Sequence, residues 1–533
     1  MKTVCAVVAG IAIGIGAAGS AGAQAPKRGG VLHYVVADDP SSFDGHREGS
    51  FTLIHPVGPY YSVLIRVNPE NPASTTDFVC DLCVGKLPAP TDGGKTYTFA
   101  IRQDAKFQTG EKLTAQDVLA SYNKIMWPPK GVVSARRAFY SMVESMTAPD
   151  DATVVFKLKY PSNAFIPALA NPFNWIYQKS VLVKNMHWYE KNINGSGPFH
   201  FKERQAGSIM RGVRNPDYHH KGQPYLDGIE AIFAKKESLR VQAIRGDRAA
   251  IEFRGFPPAA RDDLVKALGK EITVQESVWN CGIAIAPNHK RKPFDDARVR
   301  RALTLAVDRW GGSKYLSKIA IVKTVGGISY PGHALSPTNE ELQQIAGYWP
   351  DLKKSRAEAR KLLKEAGVDL SKTYYFNNRG IEPYKIVGTW LLDQWKQVGF
   401  KFEHHTHPTG PFVDRLRNSK DFDVSLDAPC QAVVNPLLDV TKYLSADRSG
   451  TQYGQVMDRD VDAVYDKMLR SVDPKEQRAL MLDMTKLALD THANQFLVLW
   501  WNRIIPHRSY VKGWKISPAH FLNQQLDNVW LDK

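Results

Sequence analysis

Cysteine is scarce: the 533 residues contain five, and only Cys80, Cys83, Cys281 and Cys430 lie beyond the first 23 positions. At this length the core does not depend on disulfide staples, and in an oxidising compartment the four allow up to two disulfides with three connectivities. Cys80-Asp-Leu-Cys83 also has the spacing of a redox or half-zinc motif, but no second ligand pair accompanies it. Beyond the amino terminus there is no long apolar run, internal repeat or low-complexity linker, which excludes a multi-span membrane protein and a solenoid. No Lys/Arg block occurs either. The 70 basic and 54 acidic residues give a net charge of +16 but are interspersed, so no nucleic-acid partner is expected.

Catalytic signatures are missing as well. The chain beyond residue 23 has no G-x-S-x-G elbow, no H-E-x-x-H helix, and no S-x-x-K nucleophile with partner motifs. Gly94-Lys95-Thr96 imitates the end of a phosphate loop, but Ala89 stands where that loop needs glycine, and the tight Asp92-Gly93-Gly94 turn of a hairpin explains the glycines better. Gly14-x-Gly16-x-x-Gly19 has a dinucleotide-binding spacing with no preceding strand. It falls in a leader-like segment: Lys2, a short apolar run from Val4 to Ala18, then Ala21-Gly22-Ala23 as a small-x-small cleavage site. Residues 1–23 are therefore expected to be a signal peptide, leaving an exported protein with no stable membrane insertion.

Short strands and helices are mixed along the rest. Tyr97, Phe99 and Ile101 alternate with polar residues, and Val154, Phe156 and Leu158 repeat the pattern after an Asp150-Asp151 turn, as half-buried strands require. Thr114-x-x-Asp117 reads as a capping box before Val118, Tyr122, Ile125 and Met126 at helical spacing, and Ser355-x-x-Glu358 does the same before Ala359, Leu362 and Leu363, with a stop at Gly367. Asp473-Pro474 opens another helix, and one spanning Arg298 to Arg309 is expected to bury Val299, Ala302, Leu303 and Ala306 and expose its arginines. The mixture implies α/β or α+β lobes. In Glu403-His404-His405-Thr406-His407, a strand would put His405 and His407 on one face, fitting either a strand edge or two ligands of a cation.

The ordered motifs resemble the extracellular solute-binding proteins, family 5, of bacterial ABC importers, the dipeptide, oligopeptide and nickel-type receptors. They are Arg28-Gly-Gly-Val-Leu, Asp39-Pro-Ser-Ser-Phe-Asp44, Asp92-Gly-Gly-Lys-Thr-Tyr-Thr-Phe, Lys106 to Val118, Gly195-Ser-Gly-Pro-Phe199, Asn215-Pro-Asp-Tyr218, Pro293 to Leu303, the Ser355 helix and Trp395-Lys-Gln-Val-Gly-Phe400. The resemblance implies a bilobal periplasmic-binding-protein-like α/β fold, two mixed-sheet lobes joined by a two-crossing hinge. Lobe I would hold residues 24–276 plus 500–533, and lobe II 277–499, with crossings near Val278 to Ile285 and Phe496 to Asn502. It implies a periplasmic monomer that captures a peptide-like or other organic solute and delivers it to permease and ATPase subunits, with no cofactor and no covalent chemistry.

By the same resemblance Asp39, Pro40 and Ser41 border the solute, and Arg417, with Arg415 beside it, sits where oligopeptide receptors place a cleft arginine able to clamp a carboxylate. Cys281 and Cys430 match positions that form a disulfide in relatives, leaving Cys80 and Cys83 as a local pair or free thiols. Tyr140, Trp175, Trp500 and Trp501 either line a pocket or pack in the core. One departure bears on the ligand: Pro429 and Ala432 stand where peptide receptors carry a tryptophan and the aspartate that pairs with the peptide ammonium, which argues against ordinary peptides. The competing readings are a metal-chelate or haem-type receptor using His405 and His407, and an exported hydrolase.

Overall fold

The computed structural model describes residues 25–533. The expected signal peptide, with Cys5 and the Gly14 to Gly19 motif, lies outside them. Three larger sheets organise the chain. The first is four-stranded, in the order Val31–Val36, Gly228–Phe233, Ile209–Arg214, Phe199–Gln205, parallel at the first pair and antiparallel thereafter. The second is an antiparallel sheet of Thr96–Ala100, Thr153–Leu158 and Val143–Asp150, covered by the helix Ala115–Met126. Tyr97, Phe99, Val154, Phe156 and Leu158 all point inward, as the alternation requires. The helix opens on the Thr114/Asp117 capping box.

The third sheet has six strands, in the order Val322–Thr324, Phe496–Arg508, Ile272–Pro287, Val424–Asp427, Thr373–Arg379, Lys401–His407. Its two long central strands leave the sheet together. Ile272 to Ser277 pair with Arg503 to Arg508, and Ile272 packs with Val35, Ile244 and Leu264 beside the four-stranded sheet. Ala284 to Pro287 pair on their other edge with Val424–Asp427 inside the six-stranded sheet. Between these halves the register slips twice, from Trp279/Trp501 to Gly282/Trp500 and again at Ile283/Ala284. Such bulges unpair residues and bend a ladder, so the double strand turns a corner there.

Two expected helices are corrected. The one expected from Arg298 to Arg309 is two, Ala297–Leu305 and Arg309–Ile319, because Asp308 caps the second through Gly311 N at 2.8 Å. Its arginines are not all exposed. Arg300 is buried, donating to the carbonyls of Ala493, Phe294, Asp295 and His492, and Arg309 to those of Leu497, Thr304 and Gly347. The Ser355 helix begins earlier, at Leu352, with Asp351 as its cap. Ser355 faces inward and gives its hydroxyl to Leu305 O at 2.7 Å. Gly367, at φ 62°, ends that helix as expected. In the Gly195-Ser-Gly-Pro motif, a Cβ on Gly195 would lie 2.0 Å from Tyr60 O, so only glycine lets the two chains touch.

Candidate functional site

The corner of the double strand carries Trp279 inward, where it meets Trp501 edge-on at 5.2 Å and donates its indole N–H to His520 Nδ1 at 2.8 Å. An indole nitrogen only donates, so His520 Nδ1 must be unprotonated; burial also holds its pKa well below the usual value. His55 contacts His520 O at 2.9 Å, and burial pushes its pKa down to about 3. Both imidazoles are neutral walls.

Beside them stands Arg254, at the end of the buried run Ala249-Ala-Ile-Glu-Phe. Its guanidinium lies 4.6 Å from the Phe51 ring centre and 5.8 Å from that of Trp279. Among the described residues it has no ion pair and no hydrogen-bonded acceptor. Glu252, two residues back, is committed to Arg240 at 2.8 Å. Across the junction Tyr384 packs edge-on to Trp501 at 5.6 Å, with Arg379 5.2 Å from the Tyr384 ring centre. Burial lowers the pKa of Arg254; Tyr384 and Glu252 oppose this, while Arg240 and Arg379 add like-charge repulsion. Arg254 is half-buried, so its charge is only partly solvated; a partly desolvated cation without a protein anion is costly, and an incoming carboxylate would relieve it.

The segment after Asp427 closes the junction. Cys281 and Cys430 are disulfide-bonded, Gly282 N donates to Pro429 O, Gln431 N to Asn280 O, and Asn280 Nδ2 to Val433 O. Val433 packs with Val67, Ala519 and Leu522, while Cys430 and Ala432 lie against the core that holds Phe173 and Trp175. Its acids offer no anion to a ligand: Asp427 is paired with buried Lys442, and burial pushes the Asp439 carboxyl well above the usual range. Cys80 and Cys83 form the second disulfide.

The residues singled out by sequence do not gather at one place. Asp39 is held by Arg204 at 2.6 Å and by Gly207 N at 2.8 Å, with Pro40 buried and Ser41 exposed next to it. Tyr140 is in the core, donating to Ala168 O at 2.7 Å. Trp175 stacks on Tyr61 at 4.6 Å and borders a cavity of about 40 Å³, which admits water but is far below the roughly 300 Å³ of small-molecule sites. Trp500 is buried against Tyr330 and donates to Gly327 O, and Trp501 alone belongs to the Trp279 junction. Arg415 pairs with Asp421 at 2.6 Å, and exposed Arg417 lies 5.7 Å from the Tyr453 ring centre. His405 and His407 do share a face, 6.3 Å apart, but His407 meets the Tyr375 hydroxyl at 2.6 Å and His405 pairs with Glu403. Sequence reasoning missed Phe51, Arg254, Trp279, Arg379 and Tyr384. An arginine closing the mostly apolar run Ala249 to Phe253 was the available signal for Arg254.

Two sheet-built bodies joined by two strand passes make a bilobal fold, with Arg254 at the junction. The chain belongs to the bacterial extracellular solute-binding proteins, family 5: the model of that family's middle region matches residues 86–451. It is 30% identical over 465 residues to the oligopeptide-binding protein AppA of Bacillus subtilis, covering 83% of this chain and 82% of that one. It is 28% identical over 317 residues to the glutathione-binding protein GsiB of Salmonella typhi, a match spanning only 58% of each chain. The fold matches DppA from Helicobacter pylori in complex with the peptide STSA, with a TM-score of 0.80, 22% identity and 95% and 99% of the two chains covered. It also matches AgaA from A. tumefaciens R10 in complex with agropinic acid, with a TM-score of 0.79, 21% identity and the same coverage. Among the described residues no helix is long and apolar enough to cross a membrane.

Proposed function

We propose that this chain is the periplasmic receptor of an ABC importer, exported through a leader removed after Ala23. It captures a carboxylate-bearing organic solute of peptide-like size and delivers it unchanged to permease and ATPase subunits. The observation that carries this reading is Arg254, half-buried between Phe51 and Trp279 without a protein anion. Residues 24–276 with 500–533 form one jaw and 277–499 the other, and they bend at the slipped register around Trp279 and Gly282. The solute is sandwiched, with Arg254 contributed by the first jaw and Arg379 and Tyr384 by the second. Contacts from both jaws stabilise closure, so affinity includes the cost of closing. The names of AppA and GsiB support a peptide-like ligand, whereas Ala432 in place of an acid disfavours recognition through a free ammonium.

Native mass spectrometry of the purified protein identifies any retained solute. Calorimetry with dipeptides, tripeptides and glutathione, each beside its carboxamide, then tests the charge. Arg254→Ala is expected to weaken the acids by about 10- to 100-fold, the worth of a charge-assisted bond, and to leave the amides unchanged. Arg417→Ala, measured in parallel, decides between the two arginines. Equal affinity for acid and amide, or no effect of Arg254→Ala, removes Arg254 from the site.

A further inference from the structure

Away from the junction, Asp81 and two adjacent histidines, His219 and His220, distant from it in sequence, converge. Asp81 sits inside the four-residue ring closed by the Cys80–Cys83 disulfide, and His219 and His220 follow Tyr218 in the Asn215-Pro-Asp-Tyr motif. His219 Nε2 lies 3.1 Å and His220 Nε2 3.0 Å from the same oxygen, Asp81 Oδ1, and the three atoms are all within 4.8 Å of one another. Bonds of about 2.0–2.2 Å from one ion to imidazole nitrogen and carboxylate oxygen place neighbouring ligand atoms about 3.0–3.5 Å apart, so both contacts fall at the edge length of a coordination polyhedron.

The surroundings fit a ligand set. Asp81 Oδ2 is held by Val63 N at 2.9 Å and Gln525 Nε2 at 2.7 Å, which fixes the carboxylate and leaves Oδ1 as a single donor aimed at the two rings. Asp81 and His219 are fully enclosed, whereas the His220 side chain is 24% exposed, giving an ion a way in and water a coordination position. The nearby Arg66 guanidinium is balanced by Asp527 at 2.8 Å. The second such cluster, Asp458, Asp460 and His492, is weaker: Asp458 already caps a helix and binds Asn494, and the Asp460 side chain is 78% exposed.

We propose that Asp81, His219 and His220 bind one divalent transition-metal ion of the zinc, nickel or cobalt type. Two imidazoles and one carboxylate suit that class and are too poor in oxygen for calcium or magnesium. The ion would tie together three stretches that meet only in the fold: the disulfide loop, the 218–220 turn and the carboxy-terminal segment at Gln525. The site is separate from Arg254, so its failure leaves the solute reading untouched.

The test uses untagged full-length protein stripped with a chelator, with unfolding temperature and calorimetry followed on addition of zinc, nickel, cobalt or, as a control, magnesium. One transition-metal ion per chain and a raised unfolding temperature are expected. His220→Ala, at the open side, and Asp81→Asn, which keeps the shape, should each weaken binding by more than about 100-fold with unchanged circular dichroism. His405→Ala should change nothing. No binding by the folded wild type, binding that survives both substitutions, or loss in His405→Ala instead would overturn the assignment.

Discussion

Around the four-stranded sheet the interior is aromatic and polar, with Tyr61 stacked on Trp175 at 4.6 Å and Tyr177 on Tyr189 at 3.8 Å. Behind the six-stranded sheet the filling is largely aliphatic, from Ile283, Ile285, Val299, Leu303, Leu362 and Leu391. Both regions bury cations, and two ways of neutralising them occur. Lys124 meets the Asp44 carboxylate at 2.5 Å, and Tyr177 and His46 N donate to the other oxygen of Asp44. Arg300 and Arg309 spread their charge over the backbone carbonyls of Ala493, Phe294, Leu497 and Gly347, in turns and a strand. The packing around Lys124 therefore depends on ionisation states, as does the Lys442–Asp427 pair on the six-stranded side, whereas the aliphatic packing around Leu303 depends on shape.

The sharpest way to break this contrast is Lys124→Met. Removing the cation strands a buried carboxylate, so a loss of about 3–5 kcal/mol is expected in denaturant unfolding, largely recovered by adding Asp44→Asn. A loss under about 1 kcal/mol would show that the polar interior is not held by its charges. Leu303→Ala, in the aliphatic interior, should cost about 2–5 kcal/mol through lost transfer energy and a cavity, by the same amount from pH 5 to 8. A pH-dependent cost would erase the distinction.

The smallest effect is a slope. Burial pushes the pKa values of His46 and His55 down to about 3, so the unfolded chain takes up their protons first. Their stabilising effect is complete above pH 6.5 and is lost as pH falls from there towards 3, by about 1.4 kcal/mol per pH unit for each group. Replacing His46 with Gln should flatten the acid limb of a stability–pH curve by one such increment, whatever it does to stability at neutral pH. An unchanged slope would mean that His46 titrates normally.

Local signals were legible where neighbours in sequence are also neighbours in space. The alternation at Tyr97 and Phe99 and the box at Thr114 and Asp117 appear in the fold as their spacing implies. Ser355 misled because a hydroxyl three residues before a glutamate suits a cap, yet its partner is Leu305 O, fifty residues away. Arg300 misled for the same reason: its helix face looked solvent-bound until the turn at Ala493 covered it.

The sequence alone determined the family and the mixed α/β class, because motif order, capping and periodicity are written within short windows. Tertiary structure alone decided which charges are satisfied. It left Arg254 unpaired between Phe51 and Trp279, and turned His219, His220 and Asp81 towards one point. Whether a charge inside the fold has a partner depends on distances between residues tens to some two hundred positions apart, which only the folded chain brings into contact.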